Sequence, residues 1–565
     1  MGLIQFRPAN CKSCYKCIRH CAVKAIAFKN GQARVLDNEC ILCGRCTMVC
    51  PQNAKQIKSD LPLVKQALEE KQKMIVSLAP SYAAAYPGVS FAVLSGALKR
   101  LGFMKVEETA IGATEVTAEY ERLMRAGKKK NLISTCCPAI VSLVEKHYPD
   151  LVQYLAPVAS PASVHARMAR IMYGDRTRVV FIGPCFAKHS EVSPQKDLFA
   201  ALTFQELNAW LEEENILLDE PDEEATEIQQ TKSRIYPISG GVIATLGPEV
   251  RKKYRCLSID GLERCMQTLD AMQAHEQIAG YFLEMSACTG SCLGGPGMNT
   301  GCLPSVLARE EMLACARHRT RAAQPLTEHI KVDTTTVYRK RAVEAVQPSE
   351  EQIQEILHQL GKYSEKDCLN CGTCGYSTCR EKAIAVFQGK ANLFMCLPYL
   401  RERAESMSNE ILAYTPNAIL LVDRDETVLE ANRAAGQLFE NAQQLKGAKI
   451  EQLLEKEPFE RAKQGQAPVL DCASETADGQ HIVEQSVVPL PNGDSIVLVK
   501  DITQEEQKKR ELEQLREETM ETAQRVIDKQ MRVAQEIASL LGETTGETKV
   551  ALTKLKKSFA GENKA

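Results

Sequence analysis

Residues 132–140 read LISTCCPAI, an apolar run that ends in Ser134 and Thr135, then two adjacent cysteines and Pro138. Neighbouring side chains of an extended segment point to opposite sides, so Cys136 and Cys137 are expected to serve different roles. Two more stretches share this design, IGPCFAKHSE at 182–191 and FLEMSACTGSCLGGPG at 282–297. Each sets cysteines after an apolar segment, beside Gly or Pro. Together the three supply Cys137, Cys185, Cys288 and Cys292. Four thiolates from three loops are able to hold a cubane iron–sulfur cluster deep inside a domain. Cys288-x3-Cys292 would put its two ligands one turn apart on one helical face. The plainer alternative is four small buried hydrophobes, and the Gly/Pro bracketing of all three loops argues against it.

Around these loops the chain has 565 residues, enough for several domains, and a net charge of -2 that gives no purchase for nucleic acid. No apolar run reaches the ~18 residues of a spanning helix, so no membrane span is expected. The start, MGLIQFRPANCKSC, has no signal-peptide core and departs from the myristoylation pattern. A cytoplasmic, unlipidated chain is expected. The composition holds 23 Cys, mostly clustered, with 9 His and 1 Trp. In a reducing compartment such clusters bind metal rather than form disulfides, and scarce His disfavours haem.

The cysteine pattern and the alternation of apolar runs divide the chain into five parts: 1–60, 61–345, 346–403, 404–503 and 504–565. The expected fold class is multidomain α/β. The first part carries Cys11-x2-Cys14-x2-Cys17-x3-Cys21 and Cys40-x2-Cys43-x2-Cys46-x3-Cys50. At this spacing three cysteines hold one cluster and the fourth crosses to the other. Cys11, Cys14, Cys17 and Cys50 are therefore expected on one [4Fe-4S] cluster, and Cys40, Cys43, Cys46 and Cys21 on the second. Zinc knuckles are the alternative, but they favour separated CxxC pairs or His partners. The segment resembles the bacterial two-cluster ferredoxin, an α+β fold that moves single electrons. Residues 61–340 alternate strand-like and helical stretches, as in α/β units with parallel strands. SEEQIQEILHQLGK (349–362) reads as a capped amphipathic helix. It leads to DCLNCGTCGYSTCREKAIAVFQGKANLFMC, which resembles the four-cysteine module of corrinoid and acetyl-CoA pathway proteins. That resemblance implies Cys371, Cys374, Cys379 and Cys396 as ligands of a further [4Fe-4S] cluster, with Cys368 spare or exchangeable; zinc is the alternative.

The three central loops, with LAPSY (78–82) and YPISGGV (236–242), resemble the catalytic domain of [FeFe]-hydrogenases. The resemblance implies a [4Fe-4S] cubane sharing one cysteine with a di-iron unit that carries CO, cyanide and a bridging azadithiolate. Cys292 would bridge, and Cys137, Cys185 and Cys288 would complete the cubane. Lys188 would donate to a cyanide, Ala79, Pro80 and Pro184 would line the pocket, and Cys136 would relay protons to the bridging amine. Gly183 and Ser286 stand where the family's prototype has two methionines; Gly is expected to leave space and Ser to add a hydrogen-bond donor. Glu119 matches one glutamate of the family's proton route, while Arg122 falls near the other, and an arginine relays no proton at neutral pH. These departures resemble the sensory branch of the family and suggest slow turnover.

NEILAYTPNAILLVDRDETVLEANRAAGQLF resembles the opening of a PAS domain, with Asn432 at its helix start. His481 and Cys472 read as a surface residue and an incidental thiol. Asp501-Ile502-Thr503 resembles the exit of PAS domains into a signalling helix. Beyond it, Leu512, Leu515, Ala523, Val526, Val533, Ile537 and Leu540 recur near a 3.5-residue period, as in a helix that pairs with a partner. The combined expectation is a sensory hydrogenase of the ferredoxin-hydrogenase type. Its partners would be H2, protons, a ferredoxin-like carrier, a second copy through the PAS domain and helix, and a separate signalling protein. Two other readings use the same motifs: a metabolic ferredoxin-coupled hydrogenase, and a non-catalytic iron–sulfur signalling protein.

Overall fold

The computed structural model describes residues 2–7, 10–193, 197–222, 232–275, 277–299, 305–317, 330–344, 346–439, 445–541 and 546–560. The expected end of the central part, residue 345, lies outside them. The chain divides into two units, Met1–Leu400 and Arg401–Ala565.

In the first unit the opening segment forms two antiparallel pairs, Ile4–Phe6 with Lys55–Ile57 and Ile26–Lys29 with Gln32–Val35. Each cysteine run wraps a single-turn helix, Lys16–Arg19 or Arg45–Met48. A segment this small buries too little apolar surface to be stable alone, so cross-linking through metal suits it.

The central region holds two parallel sheets. In the larger, Lys105–Glu108, Met74–Leu78, Arg178–Gly183 and Ala200–Thr203 lie side by side in that order. Every residue of Met74–Leu78 is buried. A strand covered on both faces needs an unbroken apolar run, and MIVSL supplies one. The smaller sheet orders Arg255–Asp260, Tyr281–Ser286 and Leu132–Ile133, again parallel. Helices Phe91–Arg100, Pro161–Tyr173 and Phe204–Glu213 start on Ser90, Ser160 and Thr203, whose hydroxyls accept the backbone N–H three residues on. The carboxyl ends of both sheets open toward one place, where crevices form in such folds.

The helix expected at 349–362 runs Glu350–Gln359, capped by Ser349 and Gln352. With helix Cys379–Phe387 it builds a small core of Ile353, Ile356, Leu357, Leu360 and Ala383. This module rests on the opening segment. Phe28 N donates to Lys390 O at 2.7 Å, Lys390 Nζ pairs with Glu39 at 2.6 Å, and Tyr376 joins Ile18, Ile26 and Phe28 in one core.

The second unit is a five-stranded antiparallel sheet in the order Val428–Ala431, Ala418–Val422, Ser495–Asp501, Ile482–Pro489, Val469–Glu475. Asn432 caps helix Arg433–Leu438 by accepting from Ala435 N, while its amide donates to Leu412 O and Asn417 O. His481 is partly exposed and meets Asp501 at 3.1 Å. Helix Thr503–Leu541 follows, with Thr503 Oγ1 accepting from Ile482 N and donating to Asp501. Its Leu512, Leu515, Val526, Val533 and Ile537 are exposed. Among the described residues, no helix is long and apolar enough to cross a membrane.

Candidate iron–sulfur and di-iron site

The strand ends converge on a cavity of about 120 Å³. Leu132–Ile133 delivers Cys136 and Cys137, Arg178–Gly183 delivers Pro184 and Cys185, and Tyr281–Ser286 delivers Ser286 and Cys288, all in its wall. Met74–Leu78 and Lys105–Glu108 add Ala79, Pro80, Ser81 and Thr109. Cys292 completes the set. It is not one helical turn beyond Cys288 as expected. Gly290 and Ser291 take positive φ (78° and 58°), and a 3-10 turn runs Ser291–Gly294. That tight reversal, not a helix face, aims both thiols at one space.

The thiols lie close enough for their charges to interact. Cys288 feels Cys185, Cys137 and Cys292, and Cys292 feels Cys137. Burial pushes the Cys185 and Cys292 thiols up to about 12, with the neighbouring cysteines adding to it, and raises Cys288 further. Buried thiols in such proximity stay protonated unless a metal takes the proton's place. The other groups in the wall suit an anionic, acceptor-bearing occupant. The Ser81 hydroxyl is buried without a partner among the described residues. Lys188, itself buried, projects Nζ into the wall, steadied by Ser160 Oγ at 2.7 Å and Glu191 at 2.8 Å. Ala79, Pro80, Ala113 and Pro161 make the remaining lining largely apolar. These residues fit a cubane with a joined di-iron unit.

Cys136 is separate from the quartet. Its Sγ lies 3.4 Å from the Tyr120 hydroxyl, which accepts from Thr135 N at 2.9 Å. Burial pushes the Cys136 thiol up to about 12. Glu119 is not brought here. It is absent from the cavity wall, and Arg122 grips both its oxygens at 2.7 and 2.6 Å. A helix turns 100° per residue, so Tyr120, not Glu119, faces the thiol. Gly183 also falls outside the wall, and the space expected beside it is filled. A Cβ there would stand 2.6 Å from the Phe181 ring and 2.8 Å from Ala79 Cβ, and Phe181 itself lines the cavity. Sequence reasoning missed Glu284, which lines the cavity and accepts from Gly240 N and Ile243 N. Burial, partly offset by those amides, pushes its carboxyl up to about 7. The available signal was a lone acid inside the apolar run FLEM.

The other thiols also gather in sets. Cys11, Cys14, Cys17 and Cys50 line one small cavity, and Lys55, buried, donates to Cys17 Sγ at 3.3 Å. Cys46 feels Cys43, Cys40 and Cys21. Cys43 in turn feels Cys137, and Cys288 feels Cys43. Cys371, Cys374, Cys379 and Cys396 line a further cavity. Cys368 is not in its wall and contacts Cys379 instead. Lys382, buried beside Cys374 and Cys396, donates to Asn392 O. A buried cation beside each of these two thiol sets fits iron–sulfur clusters of net negative charge.

Comparison with known proteins agrees with this geometry. The C-terminal domain of the iron only hydrogenase large subunit matches residues 72–296, a 4Fe-4S dicluster domain matches 3–61, and an Fe-S cluster family matches 368–398. NADP-reducing hydrogenase subunit HndD of Solidesulfovibrio fructosivorans is 28% identical over 342 residues, covering 49% of this chain and 58% of that protein. Iron hydrogenase 1 of Clostridium pasteurianum is 25% identical over 364 residues, covering 51% and 63%. A cytosolic Fe-S cluster assembly factor of Yarrowia lipolytica is 26% identical over 184 residues, covering 28% and 37%. The chain thus spans 58% and 63% of the length of the two hydrogenase relatives. A solved [FeFe]-hydrogenase from Chlamydomonas reinhardtii aligns with a TM-score of 0.39 at 19% identity, over 51% of this chain and 100% of that one. With its dicluster segment, its four-cysteine module and the thiol-lined cavity between parallel sheets, the chain is an [FeFe]-hydrogenase-like protein.

Proposed function

We propose that the chain is a slow, sensory [FeFe]-hydrogenase that interconverts H2 with two protons and two electrons. The observation that carries this reading is the sharing of one apolar cavity by Cys137, Cys185, Cys288 and Cys292, by Lys188 and Ser81, and by a separate thiol, Cys136. Cys137, Cys185, Cys288 and Cys292 would hold a cubane and its di-iron unit with CO, cyanide and azadithiolate, which would supply the H–H chemistry. Lys188 and Ser81, both in the wall, would donate hydrogen bonds to its anionic ligands. Ser286 adds a hydroxyl. Cys136, kept protonated by burial, exchanges a proton with a base in the cavity. Clusters held by Cys21, Cys40, Cys43 and Cys46, whose Cys43 neighbours Cys137, by Cys11, Cys14, Cys17 and Cys50, and by Cys371, Cys374, Cys379 and Cys396 would supply a route for single electrons.

Slow turnover is supported by the removal of Glu119 from the proton route and by Phe181 crowding the wall. The second unit acts as a PAS domain that responds to redox state by a population shift. It pairs with a second copy through helix Thr503–Leu541, whose exposed apolar stripe supports that pairing, and passes the signal to a separate protein. The protein works in the cytoplasm with a ferredoxin-like carrier. Anaerobic loading with the di-iron unit followed by infrared spectroscopy tests the reading. CO and cyanide bands with measurable H2 oxidation are expected; full iron content without those bands would refute it. The likeness to a cluster assembly factor favours one second reading, a non-catalytic iron–sulfur protein, which that spectrum separates.

A further inference from the structure

We propose that Thr109, Ser77, His165 and Glu107 form a second proton relay, linking the cavity to the protein surface beside Tyr173. This rests on the hydrogenase reading of the cavity. Thr109 belongs to the cavity wall, and its hydroxyl lies 2.8 Å from Ser77 Oγ. Ser77 Oγ lies 2.9 Å from His165 Nδ1, and His165 Nε2 lies 3.0 Å from Glu107. Glu107 also accepts from Tyr173 at 2.5 Å and has Lys105 at 3.7 Å. Ser77 and His165 are 0% exposed, whereas the Glu107 side chain is 10% exposed and that of Lys105 36%. The string therefore starts at the cavity wall, crosses the buried core and ends at Glu107, whose carboxyl lies beside the partly exposed Lys105.

Its polarity follows from donor chemistry. Burial raises the Glu107 carboxyl, but the hydrogen bonds from His165 and Tyr173, with the Lys105 cation nearby, outweigh it and hold the carboxyl below its ordinary range. An ionised carboxylate only accepts, so His165 Nε2 donates to it; in the ring form with hydrogen on Nε2 alone, the form the relay uses, Nδ1 accepts from Ser77. Ser77 then accepts from Thr109. Every hydrogen in the string points outward. A proton arriving on the Thr109 oxygen displaces the Thr109 hydrogen to Ser77. The Ser77 hydrogen moves to Nδ1, the Nε2 hydrogen moves to Glu107, and Glu107 releases a proton to water. One proton enters, one leaves, and no electron moves; the reverse sequence carries protons inward.

The groups facing His165 are Ser77 from one strand, Glu107 from the next, and Lys105 and Tyr173 behind Glu107. Glu108, adjacent in sequence, points the other way and pairs with Arg234. The close crossing of two helices at Gly112 seats the ring. A Cβ on Gly112 would stand 2.2 Å from Pro161 O and 2.6 Å from His165 N. On the Cys136 side, among the described residues, the string runs through Tyr120 to Thr135 Oγ1 at 3.2 Å, which donates to the Val158 carbonyl. Tyr120 is a phenol whose burial holds its proton firmly, and Glu119 is tied to Arg122.

The test uses the full chain loaded with the di-iron unit, comparing wild type with His165→Gln and Thr109→Val. Glutamine keeps a donor for Glu107 and an acceptor for Ser77 but cannot carry a proton through, so a merely structural histidine would be replaced without effect. Two readouts are taken: the rate at which the infrared CO bands settle after a pH jump, and H2/D2O exchange with its solvent isotope effect. Both variants are expected to keep the bands and slow both rates on the order of tenfold or more, with a larger isotope effect. If His165→Gln fails to load, Thr109→Val decides, because it cuts the string at the cavity. Unchanged rates in a loaded variant overturn the relay and leave the hydrogenase reading standing. Missing CO bands in wild type overturn both.

Discussion

Replacing Glu284 with Gln should make the protein more stable in alkali, against the usual expectation for deleting a buried hydrogen-bonded acid. The Glu284 carboxyl rises from an ordinary 4.5 to about 7, chiefly through burial. A rise of that size corresponds to about 3 kcal/mol between the protonated and ionised forms. The folded value lies above the unfolded one. The acid therefore contributes its full stability below the unfolded value and loses it progressively as pH climbs through about 7. Glutamine never ionises. It keeps one acceptor for Gly240 N or Ile243 N and loses the other, at about 1 kcal/mol. At about pH 8 the variant should gain roughly 2 kcal/mol net. For a central domain of this size that raises the unfolding temperature by about 4–8 °C. At about pH 4, below the unfolded value, the order reverses, with the variant about 2–4 °C lower. The assay is anaerobic calorimetry of the iron-loaded chain at one fixed scan rate. An unfolding-temperature difference that is the same at both pH values would refute the reasoning, because it would mean that Glu284 is no more protonated folded than unfolded.

Three other outcomes follow from named contacts. Cys137→Ala should lose cubane iron, whereas Cys136→Ala should keep all metal and lose rate; equal iron loss in both would sink that division. Gly183→Ala drives a methyl to within 2.6 Å of Phe181. It should destabilise by about 1–3 kcal/mol, and Phe181→Leu should recover part of that; a double variant no better than the single one contradicts the packing. In the four-cysteine module, Cys374→Ser should abolish that cluster's electron paramagnetic resonance signal, and Cys368→Ser should leave it intact. Loss of the signal with Cys368→Ser would make Cys368 a ligand.

The local chemistry of this chain was legible in one dimension. Ligand spacing such as Cys40-x2-Cys43-x2-Cys46 is a short-range property, so residues a few positions apart announce it. The same holds for the buried run MIVSL, the Ser349 cap and the apolar stripe beyond Thr503. Cys136 and Cys137 did part company, because extended backbone alternates its side chains.

Other features depended on residues distant in sequence. Glu119 and Tyr120 differ by one position, and only the rotation of helix Ala110–Ala126 against the Cys136 loop decides which reaches the thiol. Gly183 promised space by its own size, but Phe181, two residues earlier on the same side of the strand, takes that space. Glu284 is an ordinary glutamate until the strand order buries it against the amides of Gly240 and Ile243. Ser77, Glu107 and His165 come from two strands and a helix, and nothing in their spacing joins them. By itself the sequence determined which cysteines carry the spacing of iron ligands and which segments run as strands or helices, since spacing and periodicity act over a few residues. Tertiary structure alone decided which groups share a cavity, which are buried enough to change their protonation, and which hydroxyls and imidazole line up, because burial and through-space contact arise only when distant segments pack.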